Sequence, residues 1–141
     1  MEENSLQQIE KKVVFNATID KVWKAISTSE GLESWFMPNT FKLQEGHEFE
    51  LESPFGPSPC KVLSVEAPKQ LQFSWDHNGW IVSFYLTEKG ALTEFNLIHS
   101  GWKEAEAVIP NTGETQDVVR DRMNKGWDSL VNTELRWVVE N

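Results

Sequence analysis

His99 has the greatest capacity for chemistry in this sequence. The alternation Phe95, Leu97, His99 puts its imidazole on the apolar side of a strand, near the strand's end. A titratable ring in an apolar cleft is a candidate acid, base or hydrogen-bond donor. The same position equally suits a structural histidine bonded to a loop carbonyl or to the Ser100 hydroxyl. His47 and His77 lie far from it in sequence, and neither H-E-x-x-H nor a paired C-x-x-C occurs, so no metal site is expected. Asp76-His77 adjoins a turn with its two side chains on opposite faces and reads as a solvated pair. Cys60, the one cysteine, follows Pro59 at a strand start without a neighbouring base to lower its pKa, and is expected to be a small buried or edge residue. G-x-S-x-G, P-loop and G-x-G-x-x-G signatures are missing. No catalytic residue and no cofactor is therefore assigned.

The aromatic residues offer a different chemistry. Seven tryptophans in 141 residues is a high number, and a buried indole seeks a partner for its N–H. Taken singly, each ring fits an ordinary core. As a set they describe an apolar interior with a few polar handles, which is how ligand pockets are lined. The expected lining is Trp35, Phe36, Met37, Phe73, Trp75, Trp80, Phe84, His99, Trp102, Met123, Trp127 and Val131, with the methionines supplying adaptable surface. Such a pocket would bind a small hydrophobic molecule, aromatic or lipid-like.

The elements that must position these residues can be read from periodicity. In 71–75, Leu71, Phe73 and Trp75 point one way and Gln72 and Ser74 the other, which makes a half-buried strand. Similar runs fall at 48–53, 61–66, 80–87 and 92–101, and with an opening strand near 9–15 the total is at least six. Short connections such as His77-Asn78-Gly79 and Glu88-Lys89-Gly90 predict antiparallel hairpins. Val22, Trp23 and Ile26 predict a helix over 20–27 capped by Thr18 or Asp20; a second spans 30–35, capped by Ser29 and ended by Pro38. In the last stretch of about 25 residues, Val119, Met123, Trp127, Leu130 and Glu134 follow helical spacing beside Val131, Leu135 and Val138. Gly126 in this helix is expected to mark a close backbone approach, with Trp127 facing the sheet. The polar segment 103–115 reads as a loop and candidate lid.

The formal charge of −9, from 22 acidic and 13 basic residues, repels phosphate backbones and argues against nucleic acid as a partner. No apolar segment approaches the roughly 20 residues needed to span a bilayer, and Met1-Glu2-Glu3-Asn4-Ser5 lacks the features of a signal peptide. A single cytoplasmic α+β domain over 1–141, without membrane attachment, is the expectation. Glu48, Glu50 and Glu52 form the solvent face of a strand and discourage edge-to-edge pairing.

Four patches resemble the SRPBCC (START-like, helix-grip) superfamily, and within it the family named for the C-terminal domain of the activator of the heat-shock-protein ATPase. They are Val22-Trp23-Lys24-Ala25-Ile26 leading to Gly31-Leu32-Glu33-Ser34-Trp35-Phe36; residues 62–75; residues 93–99 with Ser100-Gly101-Trp102; and Gly126-Trp127. The resemblance implies a curved antiparallel sheet of six or more strands wrapped around a long C-terminal helix, with two short helices after the first strand. Such folds enclose a cavity that relatives use for lipids, sterols, polyketides or flavonoid-like compounds. It also implies two alternatives: a polyketide cyclase or dehydratase moving a proton with His99 or a carboxylate, and a co-chaperone-like interaction module with a chaperone partner. Co-chaperones of the family carry a further N-terminal domain, which this sequence is not expected to have.

Overall fold

Strands form where β-branched and aromatic residues alternate with polar ones, and from the second strand onward each such run pairs with the next in sequence. The computed structural model describes residues 5–53, 56–75, 79–109 and 113–141. Asp76, His77, Asn78 and Pro110, and with them the Asp76-His77 pair and most of the His77-Asn78-Gly79 turn, lie outside the described residues. In chain order the elements are β1 (Ile9–Phe15), α1 (Ile19–Ser27), α2 (Ser29–Trp35), β2 (Glu48–Ser53), β3 (Gly56–Glu66), β4 (Gln70–Trp75), β5 (Trp80–Lys89), β6 (Leu92–Ser100) and α3 (Gln116–Ser129). A π-helical turn (Leu130–Leu135) then joins α3 to α4 (Arg136–Glu140), so that one long helical rod ends the chain.

The described strands make one antiparallel sheet in the order β1-β6-β5-β4-β3-β2, in which β1 returns to pair with β6 and β2 is the opposite edge. The fold is α+β and helix-grip: two short helices follow β1, and the sheet curves over the C-terminal helix. Phe49, Leu51, Val62, Leu71, Phe73, Trp75, Val82, Phe84, Phe95, Leu97 and His99 are buried, while Glu48, Glu50 and Glu52 face solvent along the β2 edge, as the alternation requires. β3 begins earlier than its alternating stretch, and it carries an irregularity between Val62 and Ser64, after which Val65 rather than Ser64 pairs with the buried Leu71; Leu63 is exposed. The hairpin between β5 and β6 is closed by Gly90 and Ala91, since Lys89 pairs with Leu92.

Two glycines fix the surroundings of the interior. Gly31 lets α2 cross α1 closely, because a Cβ there would stand 2.4 Å from the Lys24 carbonyl oxygen. Gly101 ends β6 at φ +95°, where a Cβ would lie 2.1 Å from the Gly79 carbonyl oxygen. The chain can therefore fold Trp102 back over His99, and its indole N–H donates to the His99 carbonyl at 3.0 Å.

Several expectations need correction. The cap of α2 is Thr28, whose hydroxyl accepts the Gly31 N–H at 2.9 Å, rather than Ser29. Gly126 is exposed, and no atom lies within 4 Å of a Cβ built on it, so it marks no close approach. Glu134 is exposed and leaves the apolar stripe, while Val139 joins it. The segment 103–115 is tied down where it is described: Ile109 is buried, Ile109 N–H donates to Glu114, and Asp117 N–H donates to Ala105. That bonding does not suit a loose lid.

Candidate functional site

The sheet register assembles a cluster around His99. His99 pairs with Val82 across β6 and β5, so Trp80, two residues before Val82, is its diagonal neighbour on the same face. Trp75 pairs with Trp80 across β4 and β5. Trp102 returns from Gly101, and Trp127 comes down from α3. Four indoles therefore surround one imidazole, with ring centroids at 4.8 Å (Trp102), 5.1 Å (Trp80), 5.6 Å (Trp75) and 6.1 Å (Trp127).

His99 is fully buried, and its Nδ1 accepts the Trp127 indole N–H at 3.0 Å. Burial, reinforced by the positive charge of Arg120, lowers its pKa from 6.5 to about 3. The ring is thus neutral at ordinary pH. An imidazole that accepts at Nδ1 carries its proton on Nε2. That Nε2–H finds no acceptor among the described residues, and neither does the buried Trp80 Nε1–H.

The remaining expected residues join this cluster through Phe36. Its ring stacks on Trp35 (5.3 Å, 23° between planes) and on Trp127 (5.1 Å, 27°), and meets Trp75 edge-on (5.7 Å, 82°). Trp35 in turn touches Phe84 at 6.0 Å, and Phe84 touches Phe73 at 5.9 Å. Trp35 is fixed by an N–H donated to the Ala25 carbonyl at 2.9 Å. Val131 is fully buried, whereas Phe36, Met37 and Met123 are half-buried against the core. Above Phe36 lies an open groove of about 520 Å³ between α2 and the C-terminal rod, lined by Ser34, Trp35, Phe36, Gly126, Leu130 and Glu134 among others. Cys60 is a buried residue within β3, opposite Trp75 and Phe49.

The family profile described as "Activator of Hsp90 ATPase homolog 1-like protein" matches residues 16–140, nearly the whole chain. The chain belongs to this family. Among solved structures, protein BH1534 of Bacillus halodurans resembles this member of the Activator of Hsp90 ATPase homolog 1-like family with 51% identity and a TM-score of 0.91, over 97% of this chain and 99% of that one. The Aha1 dimer from Colwellia psychrerythraea gives a TM-score of 0.76 at 20% identity over 96% and 97% of the two chains. CalU16 from Micromonospora echinospora gives 0.73 at 24% identity over 94% of this chain and 75% of that one. The last two likenesses concern the fold alone. No curated protein matches the chain. No described helix is long and apolar enough to cross a membrane.

In this family member the expected lining residues are buried or half-buried, Phe36 among them, but the stacking of Phe36 between Trp35 and Trp127 is not legible in the sequence. Phe36 follows the last residue of α2, where neither helical nor strand periodicity assigns a face. Its neighbours Trp35 and Pro38 mark a helix end, and the direction of a ring at that point is set by tertiary packing.

Proposed function

We propose that the chain binds a small, flat, largely aromatic molecule, whose ring takes the slot that Phe36 fills, and that it carries or sequesters this molecule. The observation behind this reading is the half-buried Phe36 ring, stacked between two tryptophans with a third at its edge and bordering a surface groove. A slot with two broad π-faces and one edge suits an aromatic guest, because offset stacking and edge contacts add to the area such a ring buries. Met37 and Met123 beside it can repack around guests of different outline. Membership in a helix-grip family supports an interior site between sheet and rod. A neutral His99 whose Nδ1 is already engaged is a poor proton-transfer group at ordinary pH, and this favours binding over a cyclase-like reaction.

Thermal denaturation with a panel of polycyclic aromatic compounds tests the reading. A ligand at 100 times its dissociation constant adds about 2.7 kcal/mol, which for a domain near this size shifts Tm by several degrees. Indole emission should change on binding. Phe36→Ala empties the slot and is expected to bind the same compounds more tightly, since the internal competitor is gone. Phe84→Ala, in a fully buried position, is expected instead to cost roughly 3–5 kcal/mol of stability. If no compound shifts Tm in either the natural chain or Phe36→Ala, the slot is a filled core and the proposal fails.

A further inference from the structure

We infer that the open groove between α1 and the segment 41–43 is a second binding site, which takes a small amphiphile with one anionic group, a carboxylate on a short alkyl chain. The site lies apart from the Phe36 slot and does not rest on the reading given for it. The groove holds about 470 Å³, a size that suits a small ligand, and its lining is mainly apolar. The buried Phe41 supplies its floor, with Trp23 half-buried and Leu43 41% exposed. Trp23 and Ser27, like Lys24 and Thr28, are four residues apart, so these side chains share one side of α1.

Charge decides the ligand's polar group. Lys24 and Lys42 line the groove, neither is ion-paired among the described residues, and no carboxylate lines it with them. In a chain of formal charge −9 this is a local reversal of sign. The groove above Phe36 instead carries Glu33 and Glu134, and one beside the β2 edge carries Glu48 and Glu50 with Lys61. The other polar groups decide between a small ligand and a peptide. The Ser27, Thr28 and Ser29 hydroxyls donate to the carbonyls of Trp23 (2.6 Å), Lys24 (2.8 Å) and Asn39 (3.2 Å). The Phe41 N–H donates to Asn39 Oδ1 at 3.0 Å, and the Lys42 carbonyl accepts the Gln44 N–H at 2.9 Å. An extended peptide needs a row of free main-chain groups to pair with, and here those groups are already engaged. What remains is apolar surface beside two ammonium groups, the complement of a short apolar chain ending in an anion.

Octanoate, octan-1-ol and octylammonium share one alkyl chain, and titrating each into the isotope-labelled full chain tests the inference by nuclear magnetic resonance. Octanoate should move the Trp23 indole N–H resonance and bind about tenfold tighter than octylammonium, because two exposed ion pairs each contribute modestly and the cation meets repulsion instead. Added salt should weaken octanoate and leave the alcohol unchanged. Lys24→Gln combined with Lys42→Gln should lower the affinity for octanoate about tenfold and keep that for the alcohol; both side chains are exposed, so the fold is retained. Equal binding of octanoate and octylammonium, or a double variant that binds octanoate as the natural chain does, overturns the inference. If octanoate moves the Trp35 and Trp127 resonances and spares Trp23, the alkyl chain enters the Phe36 slot, which overturns the second site and leaves the slot reading standing. No shift with octanoate also overturns the second site alone, since the aromatic panel tests the slot. A Trp23 shift caused by an acidic, leucine-bearing peptide and not by octanoate would make the occupant a protein segment. One caused by concentrating the free protein would make it a second copy, and either result overturns the small-ligand assignment.

Discussion

His99 couples the interior to pH. Its pKa is about 3 in the folded chain against 6.5 for an imidazole in water, so below pH 6.5 the unfolded chain takes up a proton that the folded chain refuses. The stability this histidine contributes is therefore complete above about pH 6.5 and falls as pH drops from there toward 3. Once the unfolded histidine is fully charged, the slope approaches about 1.4 kcal/mol per pH unit. Denaturant midpoints measured from pH 7 to 4 on the natural chain and on His99→Gln should diverge in slope, the variant losing less stability per unit. The variant also alters the bond to Trp127, but that offset does not depend on pH. Equal slopes would mean that the imidazole is hydrated and not desolvated as its burial implies.

Among the elements, the C-terminal rod shows what a sequence pattern can hide. Val119, Met123, Trp127, Val131, Leu135 and Val139 recur every four residues, and all of these except Met123 are buried. In an α-helix each step of four residues overshoots one full turn by about 40°, so five such steps would carry the stripe off its face. The π-helical turn at Leu130–Leu135, with its i→i+5 bonds, takes up the drift and keeps the stripe on the sheet. An ordinary helical reading instead let Leu130, Glu134 and Val138 share the face, and it failed at Glu134, which is exposed. The sustained spacing of four was the legible signal. The six strands were legible because alternation is local, whereas the slot was not, since Phe36 lies beyond any period. Gly126 belongs to the same element: with open space around it, Gly126→Ala should raise stability by up to about 1 kcal/mol through helix propensity, read as a higher urea midpoint. A loss of stability would show that the groove needs its bare backbone there.

At the scale of the whole molecule, rings in mutual contact run from Phe41 and Phe49 near the β2 edge, through Phe73, Phe84, Trp35, Phe36 and Trp75, to Trp80 and Trp102 at the far end of β6. Along this run Phe41, Phe49, Phe73 and Phe84 come before Trp35 and Phe36 and the indoles after them, while Phe95 and Phe15 branch from Phe84 toward β1. Trp137 stands apart on α4 with 69% of its surface exposed. The tilted contact between Trp80 and Trp102, 4.9 Å between centroids and 44° between planes, has an optical consequence. Two indole transition dipoles at that distance and in a fixed skewed arrangement exchange excitation, so the folded protein should display an exciton couplet in its circular dichroism that no single tryptophan produces. Trp80→Phe or Trp102→Phe should weaken and reshape the couplet, the remaining indole contacts of Trp75 leaving a remainder of it, while Trp137→Phe should leave it intact. Because the couplet arises next to His99, its amplitude reports the packing around that imidazole optically, separately from the helical signal of the rod.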